Sequence, residues 1–291
     1  MEPEFVSYAQ NMEDVVLGRL VSLVPRGRFI DVGAGHPILE NVTYALYLKG
    51  WRGINVEPMR AEVELLRAQR PEDETVQVAV GATAGSVTLF EAPAAANRGA
   101  TTSNAELAAR YAKAAGESFV AFESPMVTLS SLLAKFEPGG VHVVKVDVEG
   151  MEFDVLTGAD LDQHRPWAVV VESTEPNETT STTHLWEHIL LEAGYRCTLF
   201  DGLNRFYVRA DLDQVAALLS VPANVFDHWV PASALELAAA QIEIESLKSE
   251  IELSRSAALE AETYAKALQN VLADLRAESD KKRKPFGKSK T

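Results

Sequence analysis

With 291 residues, 47% of them apolar, the chain can bury one substantial core and still has length left for an appendage. A single cysteine, Cys197, excludes an intramolecular disulfide framework and suits a reducing, cytoplasmic setting; the acidic start Met1-Glu2-Pro3-Glu4 lacks a secretory h-region, and no apolar run approaches the ~20 residues of a membrane span. The net charge of −15, despite six basic groups in the last eleven residues, makes phosphate backbones poor partners and disfavours a nucleic-acid substrate.

Apolar runs of strand length fall at 28–33, 53–57, 76–81, 86–90, 141–147, 167–173, 195–200 and 204–208. Helical patterns at 10–24, 39–50, 59–69, 105–115, 128–136, 151–157 and 183–194 separate most of them. This alternation predicts an α/β fold built on a mostly parallel, Rossmann-like sheet covered on both faces. Val141–Asp147 and Trp167–Glu172, apolar almost throughout, read as central strands. Asp201-Gly202-Leu203 between the last two runs is a hairpin signal, so the parallel sheet is expected to end in an antiparallel hairpin.

The first informative stretch is Phe29-Ile-Asp-Val-Gly-Ala-Gly35. A strand, a glycine turn and a helical pattern in that order make a nucleotide-type cradle, because glycine lets backbone amides approach a ligand closely. Asp31 at its lip would repel a pyrophosphate and welcome a cationic or zwitterionic ligand. A dinucleotide fingerprint would place a third glycine where Ile38 stands, which also argues against NAD. Ile54-Asn55-Val56-Glu57 then ends a second strand in an acid suited to a ribose diol. An acidic glycine loop with a ribose acid suits S-adenosylmethionine, and hence a methyltransferase. Residues 91–104, rich in Ala, Asn, Gly, Thr and Ser, read as a loop near the substrate.

The second stretch is Val144-Lys-Val-Asp-Val-Glu-Gly-Met-Glu152. A strand ending at Asp147, turned by Gly150, gathers Lys145, Asp147, Glu149 and Glu152 at the carboxyl end of a central strand, where open α/β sheets bind their ligands. Glu172, ending the next parallel strand, is expected beside Asp147. Two such carboxylates could hold Mg2+, or one could be the base that takes a hydroxyl proton, with Lys145 as helper; a strand-end ion pair is the plain alternative for Lys145. The hydroxyl-rich stretch Thr174–Thr183 suits sugar contacts or a solvated loop. His184 and His188, four residues apart with Glu187 between, do not follow the zinc-protease order and are expected at the substrate mouth or in solvent. His36 reads as a loop filler within reach of the site, and Trp51, Trp167 and Trp186 as core.

From Leu237 the pattern changes. Positions 237, 244, 251, 258, 265 and 272 with 240, 247, 254, 261, 268 and 275 form a heptad over six repeats, weak in its Ala- and Ser-filled centre. Residues 237–278 are read as a continuous helix, either a coiled coil that makes a homodimer or docks a partner, or a single solvated helix. Residues 280–291 read as a basic disordered tail, with contact to an anionic membrane surface as a minor alternative.

Taken together, Ser7-Tyr-Ala-Gln-Asn-Met-Glu-Asp14, Phe29–Pro37, Gly50-Trp-Arg-Gly-Ile-Asn-Val-Glu-Pro58, Lys145–Glu152, Val170-Val-Glu-Ser173 and Asp201-Gly-Leu-Asn-Arg-Phe-Tyr207 resemble the FkbM-type methyltransferase family. The resemblance covers about residues 5–230. It implies a class I fold with a seven-stranded sheet over 1–231, followed by the helical segment 232–279. It also implies S-adenosylmethionine-dependent methylation of a hydroxyl, commonly on a sugar or a polyketide, in a glycan-assembly context. By the same resemblance Asp31, Gly33 and Gly35 hold the methionine part of the donor, Glu57 the ribose, and residues 78–81, with Ala79, border the adenine. The Gln10-Asn11-x-x-Asp14 helix resembles a lid. A fold retained as a catalytically silent scaffold, working through its coiled coil, is the competing expectation.

Overall fold

The computed structural model describes residues 5–91, 101–115, 118–175 and 180–282, in two units, Met1–Ala232 and Ser233–Thr291. The first unit is built on a seven-stranded sheet. In chain order its strands are β1 (Arg28–Val32), β2 (Arg52–Val56), β3 (Glu74–Val76), β4 (Val143–Val146), β5 (Ala168–Glu172), β6 (Tyr195–Phe200) and β7 (Asn204–Arg209). The spatial order is β6-β7-β5-β4-β1-β2-β3, with β7 antiparallel to both of its neighbours and the remaining pairs parallel. The chain runs outward from β1 to β3 and then returns to the other side of β1, so β1 and β4 flank the switch point where such sheets leave a crevice. The expected closing hairpin is there, with Gly202 at φ 104 in its turn and Asp201 Oδ1 accepting from the Leu203 and Asn204 amides.

The alternation of strand side chains separates two apolar layers. Ile30, Val32, Ile54, Val144, Val146 and Val169 pack on one face, while Phe29, Val143, Val170, Phe206 and Val208 pack on the other. Both layers are closed, as an almost wholly parallel sheet requires. Trp51 and Trp186 are fully buried, as expected of core; Trp167 is half-buried.

Several elements differ from the sequence expectation. The 39–50 helix is only Tyr44–Leu48, because residues 34–43 are held as a loop by side chains described below and Glu40 adopts φ 55. The 76–81 run divides: Glu74–Val76 stays in the main sheet, and Ala79–Val80 pairs instead with Val120–Val127. That strand joins Gly85–Glu91 and Thr101–Thr102 in a separate four-stranded sheet inserted between β3 and β4. Its sequence, Val-Ala-Phe-Glu-Ser-Pro-Met-Val, was concealed by Pro125, which cannot donate to a ladder. Of the expected 91–104 loop, residues 92–100 lie outside the described residues.

The start and end of the first unit are tied together. Phe5–Ser7 pairs in parallel with Trp229–Pro231. Arg19 clasps Asp227 through two 2.8 Å bonds and donates further to the carbonyls of Leu218, Val221 and Pro222. The second unit is a helix, Ala232–Lys282, with no proline or glycine inside it. The tail from 283 lies outside the described residues. Among the described residues no helix is long and apolar enough to cross a membrane.

Candidate active site

At the carboxyl end of β1 the chain turns through Gly33 (φ 76) and Gly35 (φ 56). The two glycines are needed for different reasons. A Cβ on Gly33 would stand 1.8 Å from the carbonyl oxygen of Asp147, so β4 itself closes on this position; a Cβ on Gly35 would meet nothing within 4 Å. The loop is not the start of a helix, so no helix dipole points into it. Its amides are instead set by side chains. Glu57, at the end of β2, accepts from the Gly35 amide (2.9 Å) and the Met59 amide (2.9 Å). Burial raises its pKa to about 7, against the lowering pull of those two amides. His36 Nδ1 accepts from the Ile38 and Leu39 amides, which leaves Nε2 as the nitrogen able to carry the proton.

Beneath the loop lies a buried polar network that the sequence reading did not single out. Asn41 Nδ2 donates to the carbonyls of Ala34 and His36, and its Oδ1 accepts from Thr43 and Tyr44. Arg70, fully buried, donates to Asn41 Oδ1 (3.1 Å) and Thr43 Oγ1 (3.1 Å) and pairs with Asp73 at 2.8 Å. Thr43 in turn donates to Asp31 Oδ2 at 2.6 Å. The available signal was Asn41-Val-Thr43, two local side-chain cappers inside an otherwise helical pattern.

Asp31 and Lys145 are side by side in register on β1 and β4. The Lys145 ammonium, almost wholly buried, lies 3.5 Å from Asp31, 3.2 Å from Asp147 and 2.8 Å from the Gly33 carbonyl. Burial alone would lower its pKa, but the charges of Asp147 and Asp31 more than offset that and hold it above the usual lysine value. Asp31 Oδ1 is buried without a hydrogen-bond partner, and that carboxylate is wholly enclosed. Glu172 follows Val171, the residue paired with Val146, so it stands next to Asp147 at the carboxyl edge of the sheet. Burial first, then the Asp147 charge, push the Glu172 pKa far up, so this pair keeps a proton at neutral pH. Glu149 is raised to about 7 by burial and by the Asp147 and Glu152 charges. Glu152 serves the turn itself, accepting from the Val148 and Gly150 amides. The inserted sheet reaches this turn, where Thr102 Oγ1 donates to the Glu149 carbonyl.

The N-terminal segment arrives from the other side. Asp14 accepts from Ser7 Oγ and from the Tyr8 and Ala9 amides, and burial raises its pKa to about 6. Asn11 donates to the Asp201 carbonyl, and buried Glu13 accepts from the Asn11 amide and from Asn204 Nδ2. Asn204 is the register partner of Glu172, so Glu13 sits one strand away from the carboxyl pair, and burial raises it to about 7. Glu13 and Asn204 lie within the stretches Ser7–Asp14 and Asp201–Tyr207 that carry the family resemblance, but the sequence assigns neither a role, because they meet across 191 residues. Ala79 is buried where the inserted sheet begins. His184 and His188 are exposed. Ser173, Thr182 and Thr183 spend their hydroxyls on Leu203, Trp186 and Ser181; residues 176–179 of that stretch lie outside the described residues.

The Mg2+ alternative at Asp147 and Glu172 does not fit this donor set. The Lys145 ammonium already stands 3.2 Å from Asp147, so a divalent ion would have to share that carboxylate with it. Among the described residues no group of three or more His, Cys, Asp or Glu is placed to hold a metal ion.

The model of the family described as "Methyltransferase FkbM domain" matches residues 31–197, more than half of the chain, and spans both the glycine loop and the carboxylate cluster. No curated protein matches the sequence significantly. Solved structures with a similar but distant fold include a TehB-like SAM-dependent methyltransferase from Corynebacterium glutamicum, at 10% identity over 67% of this chain and 87% of that one, with TM-score 0.37. Others are magnesium protoporphyrin IX methyltransferase from Synechocystis with bound SAM (10%, 68% and 77%, TM-score 0.35) and precorrin-6y C5,15-methyltransferase from Geobacter metallireducens (10%, 72% and 92%, TM-score 0.36). The chain belongs to the FkbM methyltransferase family and is a SAM-dependent methyltransferase.

Proposed function

We propose that the enzyme transfers a methyl group to a hydroxyl oxygen of a sugar or glycan, with Asp147 as the proton acceptor. S-adenosylmethionine, when bound, supplies the methyl on a sulfonium sulfur, which keeps the C–S electron pair. Gly33, Gly35 and Glu57 are the residues that hold it, and Asp31 acts from beneath by fixing Lys145 against the Gly33 carbonyl. Asn11 and Ala79 border the donor from the N-terminal segment and the inserted sheet.

The observation that carries this reading is the Lys145–Asp147–Glu172 row. Two carboxyl groups, of which Glu172 keeps a proton, stand beside one ammonium, so the negative charge of the row lies on Asp147 next to Lys145. The Asp147 side chain is 37% exposed, open to an acceptor. As the acceptor oxygen forms its bond to the methyl carbon, its proton passes to Asp147, and protonated Glu172 keeps that carboxylate oriented. The family resemblance supports a sugar over a polyketide acceptor.

Radiolabel transfer from S-adenosylmethionine to matched panels of glycans and polyketide alcohols tests the reading. Asp147→Asn is expected to lower kcat by ~10²-fold or more with donor affinity retained, and Glu172→Gln to be milder, because an amide, like the protonated carboxyl, is uncharged. A chelator is expected to leave the rate unchanged. Wild-type rates in Asp147→Asn, or transfer confined to polyketide alcohols, would overturn the corresponding part of the proposal.

A further inference from the structure

We propose that two copies of the chain pair through residues 237–255 as a parallel, in-register two-stranded coiled coil. A unit consisting of one helix has no core of its own, yet Leu237, Ile244, Leu247 and Ile251 recur at heptad spacing and are each at least half exposed. Such a stripe is stable in water only when something covers it. The occupant follows from the residue types. Ile244 and Ile251 stand at the first seam position and Leu247 at the second, the β-branched and γ-branched arrangement that favours two parallel strands.

Charge chooses the same partner. In a parallel pair the residue just before one seam position faces, on the other helix, the residue five places further along. Glu243 of each copy then faces Lys248 of the other, and Glu250 faces Arg255. Both kinds of pair are attractive, each occurs twice by symmetry, and no like charges meet. An antiparallel pair in the register that matches Lys248 with Glu262 would set Arg255 against its own copy. Within one chain Lys248 already bonds Glu245 at 2.7 Å, but both are about two-thirds exposed, and such a pair is too weak to withhold the lysine. The glutamates of this half therefore steer pairing rather than oppose it. Beyond Ser254 the seam holds Ala258, Ala261 and Ala265, so the contact is made chiefly in the first half.

Sedimentation of the full-length protein is expected to give a dimer at roughly tens of micromolar. Glu243→Lys/Glu250→Lys makes both flanks basic, and Lys248→Glu/Arg255→Glu makes both acidic. Each double variant should weaken self-association by roughly tenfold or more, and an equimolar mixture should restore dimers. Circular dichroism of each variant confirms that the helix survives. Ala240→Cys in a Cys197→Ser background should oxidise to a disulfide-linked dimer, since parallel register sets this position against itself. A monomeric wild type overturns the proposal. So does a dimer indifferent to both charge variants, which would place the contact elsewhere, or a dimer that the Ala240→Cys variant fails to cross-link, which would exclude this register.

Discussion

Gly33 and Gly35 separate two constraints that one motif normally merges. Gly33 is excluded from carrying a side chain by the Asp147 carbonyl 1.8 Å from its would-be Cβ, whereas Gly35 is constrained by its positive φ alone. Gly33→Ala is therefore expected to lose more than ~3 kcal/mol of stability, since β1 and β4 would have to part. Gly35→Ala should lose only about 1 kcal/mol while weakening the donor affinity more than the fold, because its Cβ enters the open space above the loop. Thermal melting and calorimetric titration of S-adenosylmethionine separate the two outcomes. Glu57 gives a second test at this scale. Its unfolded carboxyl ionises near 4.5 and its folded one near 7, so between those values the folded chain holds a proton that the unfolded chain has released. The contribution of Glu57 to stability thus falls as pH rises from 4.5 to 7 and stays lost above. Urea unfolding of Glu57→Gln should show a flatter dependence than wild type across this range; equal slopes would mean that the buried carboxyl is not perturbed.

At the scale of elements, the loop 34–43 depends on a strut from the end of a neighbouring helix. Arg70, at the end of Arg60–Gln69, carries Asn41 and Thr43 on one side and Asp73 on the other, all buried. Arg70→Met keeps the volume but strands the Asp73 carboxylate without its cation, which is expected to cost about 3–5 kcal/mol. Asp73→Asn in the same chain should restore part of it, and a denaturation cycle over the two sites measures the coupling. This strut also shows what could be read from the sequence. The parallel sheet, the closing hairpin and the neighbouring placement of Asp147 and Glu172 were legible because periodicity and strand ends are local signals. The shortened helix at Tyr44–Leu48 was not, since Asn41 and Thr43 make a loop only when Arg70 lies beneath them. The inserted sheet was half legible: the Gly85–Glu91 run stood out, while its long partner Val120–Val127 was masked by Pro125. Glu13 and Asn204 meet only through the folded topology, so no pattern near either residue pointed to the contact.

At the scale of the whole molecule, the two units divide the work in a way that a truncation can test. Every residue placed around the donor and the carboxyl pair precedes Ala232, and so does every residue of the two apolar layers of the sheet. The last strand of the first unit, Trp229–Pro231, is needed, because it pairs with Phe5–Ser7 and follows the segment that Arg19 clasps through Asp227. A chain ending at Pro231 therefore retains both apolar layers of the sheet, the Asp227 clasp and the terminal strand pair. Its kcat, its donor affinity and its urea midpoint at low protein concentration are expected to equal those of the full chain. A chain ending at Leu219 should instead lose the Asp227 clasp, the Arg19 bonds to the Val221 and Pro222 carbonyls and the terminal strand pair. That loss is expected to reach about 2–5 kcal/mol, because a bidentate charge-assisted contact and the strand that follows it are removed together. Denaturant unfolding of the two truncated chains against the full one distinguishes the cases. If ending at Pro231 abolished methyl transfer with the fold intact, the C-terminal helix would have to supply part of the acceptor site, and the assignment of all chemistry to the first unit would fall.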